Sequence, residues 1–201
     1  MSEKTTHKLV WPWFVAFLVG MVAMGVTIDM LDIKSKALAS GLMIAPMILL
    51  VPMVRNAMFN AKQGGAAGDP VRRYLMRMMA VSVTYIASLF LASEMIEKGG
   101  ELTPLAFLLA LIPGVAVSGY FWAIGRLIIE QQDEFQRMLV IRQSLIATAL
   151  ALSLASIWGF LESFELVQHV DAYWWPIVWF FGLGVGAVIN KIQLGSAGET
   201  M

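Results

Sequence analysis

The sequence predicts an all-α fold: a polytopic transmembrane helical bundle of six spans with both termini cytoplasmic. Three observations carry that expectation. Apolar residues make up 59% of the 201 positions and charged residues 14%, against roughly 25% charged in soluble domains. Several uncharged runs reach about 18 residues or more, the length that crosses a hydrocarbon layer as a helix. Lysine and arginine gather in alternate links between those runs, as cytoplasmic loops require.

The first predicted span covers residues 9–28. Lys4 and Lys8 precede it, as in a signal peptide, but the run has the length of a full span. It ends at Ile28 and Asp29 without a small-residue cleavage site, so it reads as a retained helix. Trp11 and Trp13 stand where amphipathic rings favour the headgroup level. Pro12 falls in the first turn, where its missing N–H costs no bond. A short link with Asp29, Asp32, Lys34 and Lys36 leads to the second span, 37–54, in which Pro46 and Pro52 predict a kink. Glycine and small residues dominate 60–70, the composition of a flexible linker.

The third span is expected at 74–93, with Arg77 snorkelling to the interface. Pro104 opens the fourth, 104–125, which contains Pro113. The fifth covers 138–161. The sixth begins at the aromatic belt of Tyr173, Trp174 and Trp175 and ends near Lys191. The chain therefore divides into an N-terminal transmembrane hairpin (1–59), a linker (60–70), a four-helix core (71–194) and a small polar tail (195–201) expected to be disordered.

Charge sets the expected orientation. The link between the second and third spans holds Arg55, Lys62, Arg72, Arg73 and Arg77, and the turn between the fourth and fifth holds Arg126, Arg137 and Arg142. The loops after the third and fifth spans hold Lys98 beside several carboxylates. Basic links belong inside.

Small residues recur four apart on most spans: Ala37, Gly41 and Ala45; Ala80, Thr84, Ser88 and Ala92; Ala110, Gly114 and Ser118; Ala147, Ala151, Ala155 and Gly159; Gly182, Gly186 and then Asn190. That spacing puts each set on one helix face, where small side chains let backbones approach in lipid. Such a face packs either the protein's own bundle or another protein. The helix-packing positions selected on this basis are Ala147, Ala151, Ala155, Gly159, Gly182 and Gly186.

The densest charge lies in 126–142, a turn that offers Arg126, Asp133, Glu134, Arg137 and Arg142 together with Glu130. Asp133 and Gln136 have capping-box spacing, and Glu134 and Arg137 stand three apart and can pair. The ordinary reading is helix capping and interfacial charge. The functional readings are a relay, a docking knob, or lipid-phosphate binding at Arg126.

Other chemistry is sparsely represented. The chain has no cysteine, which excludes disulfides, thiolate metal sites and iron–sulfur ligation. Zero net charge points to no nucleic-acid partner. His7 and His169 fall on opposite sides of the expected membrane and cannot share a metal or haem. The fourteen methionines show no repeated spacing and read as gap-fillers. No phosphate loop, nucleophile motif or pair of catalytic acids stands out, so no catalytic residue, cofactor or metal is expected.

Arg72-Arg73-Tyr74-Leu75, Phe121-Trp122-Ala123-Ile124-Gly125-Arg126, Asp133-Glu134-Phe135-Gln136-Arg137-Met138 and Trp158-Gly159-Phe160-Leu161-Glu162 resemble a family of small, uncharacterised bacterial inner-membrane proteins. The similarity runs over about 72–192. It implies a four-helix core in the bacterial inner membrane with an added N-terminal hairpin, and it implies no reaction. The expectation for function is a non-enzymatic accessory or oligomerising subunit of a membrane assembly, in contact with lipids and with another membrane protein or a second copy. A small-solute or ion transporter, and a lipid-binding or lipid-modifying protein, are the alternatives.

Overall fold

The computed structural model describes residues 8–63, 68–96 and 103–198. His7, Lys98, the centre of the expected linker and the last three residues of the tail lie outside the described residues. The helices are α1 (Trp11–Met30), α2 (Lys36–Ile44), α3 (Leu50–Gln63), α4 (Asp69–Met95), α5 (Pro104–Glu130), α6 (Glu134–Ser163) and α7 (Trp174–Leu194). No strand occurs among the described residues. Six segments are long and apolar enough to cross a membrane, the architecture of a multi-pass membrane protein.

The expected kink in the second span is a change of helix type. The 3-10 segment Ala45–Leu49 joins α2 to α3, with Pro46 buried at its start. Proline donates no hydrogen bond and crowds the preceding turn, so the backbone tightens there and resumes as α3. The helix then runs on through residues 60–63, in contrast to the flexible linker that their composition predicts.

The described residues form two compact units, one within Met1–Leu75 and one within Met76–Glu199. In the first, α1 packs against the 3-10 segment and α3. Gly20 faces Pro46, whose Cβ would lie 3.1 Å from an added glycine Cβ. At the N-terminal end of α1, two asparagines one turn apart on α3 hold the residues that lead into it. Asn60 accepts from the Lys8 N–H and donates to the Lys8 carbonyl, both at 2.9 Å, and Asn56 donates to the Leu9 carbonyl at 2.9 Å. Gly68 is glycine for lack of room: a Cβ there would collide with the Ala61 carbonyl. It marks a packed corner at the edge of the glycine-rich link.

In the second unit, α6 and α7 share the most extensive interface. They run antiparallel, and their contacts advance four residues at a time on both helices. An added Cβ at Gly182 would come within 2.7 Å of Ala147 Cα, and one at Gly186 within 2.8 Å of Gln143 Cα. One turn further, the Asn190 amide donates to the Leu139 carbonyl at 3.1 Å. Ala147, Ala151, Gly182 and Gly186 are all buried in this seam. Ala155 is half-buried, and Gly159 is exposed with open space around its Cα. The register explains the difference. Ala147 opposes Gly182, so Ala155 meets the first residue of α7, and Gly159 lies beyond the end of that helix. Gly159 therefore lies outside the α6–α7 seam.

The other stripes divide similarly. Ala110, Gly114 and Ser118 are exposed, and α5 instead buries Ala116, Ala123, Ile124 and Leu127 on another face. On α4, Ser88 and Ala92 are buried while Ala80 and Thr84 are exposed. The tail also differs from expectation: Gly195 closes α7 in the left-handed conformation at φ 73°, and Gln143 donates to the Ala197 carbonyl at 2.9 Å. Residues 195–198 thus return along α6 with a defined partner.

Hydroxyl groups within the helices serve their own backbone. Thr27, Thr84, Ser144 and Thr148 donate to the carbonyl four residues earlier, which spares lipid an unpaired polar group. Substituting Gly182→Val should force α6 and α7 apart and destabilise the fold by about 1–3 kcal/mol, whereas Gly159→Val should leave stability nearly unchanged. Thermal unfolding of both variants in mild detergent checks the pair of outcomes, and equal losses would contradict the seam.

Candidate functional site

The charged turn is shorter than its sequence suggests. α5 continues through Arg126 to Glu130, and α6 starts at Glu134, leaving Gln131, Gln132 and Asp133 between them. Asp133 is the N-cap of α6, its carboxylate accepting from the Gln136 N–H at 3.0 Å. This supplies one of the bonds that the first turn of a helix lacks. Glu134 and Arg137 approach to 3.6 Å on the surface of the same turn. Arg142 donates to Gln193 on α7. Arg126 belongs to a different arrangement. The five selected turn residues therefore do three separate things: close α6, tie α6 to α7, and join the cluster described next.

Glu130 is the centre of that cluster. Arg77, from α4, donates from its two terminal nitrogens to both carboxylate oxygens, at 2.7 and 3.1 Å. Arg126, one turn before Glu130 on α5, donates from Nε at 3.1 Å and from a terminal nitrogen at 2.8 Å to the same Oε1. The side chains of Arg77 and Glu130 are 19% and 12% exposed, so the two-pronged pair is largely removed from solvent. The Arg77 guanidinium also lies over the Trp122 ring, 5.5 Å from its centroid, within cation–π range. Arg77 thus docks on α5 by its charged end, where snorkelling was expected.

The helices around the cluster hold it in place. Above Arg77, Val81 packs on Gly119, where an added Cβ would come within 2.8 Å of a valine methyl. The Tyr120 hydroxyl donates to Ser82 Oγ at 3.1 Å. Tyr120 meets Phe180 edge-on and Phe121 meets Trp179 edge-on, with centroids 5.2 and 4.7 Å apart. Trp179 donates to Thr148 Oγ1 at 3.0 Å. Contacts from α4 through α5 to α6 and α7 thus support the ends of α4 and α5 that carry the arginines.

The Arg77–Glu130 pair joins residues 53 apart, a separation that no local spacing reports. The seam could have been read further: Gln143 continues the Ala147 and Ala151 stripe by one step of four, and Leu139 by two. Asn190 is wholly buried, and its Oδ1 has no hydrogen-bond partner among the described residues. Its amide nitrogen, held by Leu139, fixes the side chain in the seam.

A second charged group lies at the opposite ends of α6 and α7. His169 Nδ1 bonds the Glu162 carboxylate, and Nε2 lies 3.6 Å from Asp171. Trp158 Nε1 donates to the Gln168 carbonyl at 3.2 Å, tying the same loop to α6. The hydrogen bond to Glu162 raises the His169 pKa above its ordinary value of 6.5, with Asp171 adding to the effect. Among the described residues, no group of three or more histidine, cysteine, aspartate or glutamate side chains is placed to hold a metal ion.

The chain matches no protein-family model, and no curated protein or solved structure shows significant similarity to it.

Two outcomes follow from these clusters. Glu130→Gln leaves Arg77 without its counter-charge in a largely buried setting, which should cost about 3 kcal/mol. Chemical or thermal unfolding measures this, and a neutral result would show the pair to be incidental. A folded-state pKa raised above the unfolded one means that the His169 pairing contributes fully below about pH 6.5 and fades as pH rises through the folded value. An NMR titration in a His7→Gln background should give a His169 midpoint above 6.5. Glu162→Gln should move it back down, and a wild-type midpoint at or below 6.5 would contradict the geometry.

Proposed function

We propose that this chain is a non-enzymatic protein of the bacterial inner membrane that acts as an accessory or oligomerising subunit of a membrane assembly, with both termini in the cytoplasm. One observation supports this above others. Gly41, Gly114 and Gly159 stand in small-residue stripes on three different spans, and each has open space where a Cβ would be. Glycine inside a helix costs about 1 kcal/mol relative to alanine, and lipid gives nothing back for the missing side chain. Close approach of another helix does, because dispersion and packing between backbones replace looser contacts with lipid tails. The same rule operates inside the protein, at Gly182 and Gly186. The open stripes repeat that chemistry on faces where an added Cβ meets no described atom within 4 Å, which suits a second copy or a partner helix.

The basic links, including Arg126, Arg137 and Arg142 around the α5–α6 turn, support the cytoplasmic placement of that turn. The charged turn lends less support to a gated transporter, because its members are committed to capping, to Gln193 and to Glu130 rather than converging on one path.

The test is assembly size. Purified in mild detergent and exchanged into lipid nanodiscs, the wild-type protein should run as a complex larger than the 22.1 kDa monomer, by self-association or with a stoichiometric partner. Gly114→Leu should reduce it to a monomer that keeps the helical circular dichroism of the wild type, since an added Cβ at that position meets no described atom within 4 Å. A wild-type monomer at every protein concentration, with no co-purifying partner, would overturn the proposal.

A further inference from the structure

Trp122, Arg126 and Glu130 follow one another at four-residue intervals along the last turns of α5, so they share one helix face. The Trp122 side is open, at 56% exposure, and Arg126 is 45% exposed while Glu130 beneath it is 12% exposed. Arg77 reaches the same carboxylate from α4. Two guanidinium charges thus meet one carboxylate charge. The C-terminal end of α5 adds roughly half a negative charge, which helps hold both arginines there but does not balance them. Arg77, Arg126 and Glu130 together carry one net positive charge near the end of a membrane-length helix.

The chemistry of that surplus is specific. Arg126 commits Nε and one terminal nitrogen to Glu130, and a guanidinium has five N–H donors in a planar fork. The remaining donors suit the paired oxygens of a phosphate group, for which arginine has a geometric match that lysine lacks. Trp122, one turn deeper, supplies an amphipathic ring of the kind that settles at headgroup level. Its face also carries Arg77.

We propose that Arg126, oriented by Glu130 and flanked by Trp122, binds the phosphodiester of an anionic membrane lipid. Arg77 acts as a positioning residue: it holds Glu130, and through Glu130 it fixes the plane of the Arg126 guanidinium. A zwitterionic headgroup carries its own cation beside the phosphate and gains less from the surplus charge. One arginine near an anionic surface is worth about 1 kcal/mol, or about five-fold in retention. The site is independent of the small-residue stripes that support assembly, so either reading can fail alone.

The experiment compares lipid retention by native mass spectrometry. The purified full chain is equilibrated with equal amounts of phosphatidylglycerol and phosphatidylcholine in detergent. Wild type should retain phosphatidylglycerol about five-fold over phosphatidylcholine. Arg126→Gln should abolish the preference, Arg126→Lys should keep part of it, and Arg142→Gln, whose side chain is held by Gln193, should leave it intact. Circular dichroism of each variant separates lost binding from lost folding, and the wild-type preference stands as a test even where a variant does not fold. Equal retention of the two lipids by wild type overturns the proposal, as does a preference that survives in folded Arg126→Gln. So does release of the lipid by millimolar inorganic phosphate, which would mark a site for free phosphate.

Discussion

The constraint on which the rest depends is that these helices bury so little of themselves. Within the apolar windows of the six long helices, between 0 and 22% of positions are buried inside the protein. Trp11, Val22, Val83, Phe107 and Phe160 are among many large apolar side chains left more than half exposed. Water would penalise such a surface at about 25 cal/mol for each Å², and a surface of this extent could not remain in it. Lipid removes the penalty and with it the hydrophobic drive to pack. What holds the helices together must then be close backbone approach, hydrogen bonds and ion pairs. The second unit shows all three: Gly182 on Ala147, Trp179 on Thr148, and Arg77 on Glu130.

The same constraint accounts for where the polar groups lie. Hydroxyls fold back on their own helices. Charged pairs gather at helix ends, with Glu130 and its arginines at one end of α5 and Glu162, His169 and Asp171 around the far end of α6. α6 spans 30 residues, about 45 Å at 1.5 Å per residue, against a hydrocarbon thickness of about 30 Å. Its ends must stand in the headgroup layers. Residues near them can be both helical and charged, which is why Arg126, Glu134 and Arg137 belong to helices rather than to a loop.

How much of this was legible in the sequence depends on whether the signal was local. Six apolar helices were legible, because length and absence of charge are local properties. So was the Asp133 cap, which is a spacing of three, and so were Ala147, Ala151, Gly182 and Gly186, which recur by fours. The ends of helices were not, because charge marks where lipid stops and not where the helix does. Gly159 continued its stripe by rule but lies past the end of α7, and only the register of α6 against α7 reveals that. Gly114 carried the same signal on a face that α5 leaves open. Gly68 looked like part of a flexible linker and is confined by the Ala61 carbonyl. The Arg77–Glu130 pair was hidden most completely, since its two halves meet only after α4 and α5 have packed.

Everything described here requires that the chain cross the bilayer repeatedly, with the α5–α6 turn and the α6–α7 loop on opposite faces. The absence of native cysteine makes that directly measurable, because any introduced thiol is a single, unambiguous reporter. Gln132→Cys marks the turn and Gln168→Cys marks the loop. In intact bacterial cells treated with a membrane-impermeant maleimide, Gln168→Cys should label, and Gln132→Cys should label only after the membrane is opened. Equal labelling of the two positions in intact cells would place both ends of α6 on one side and contradict the account.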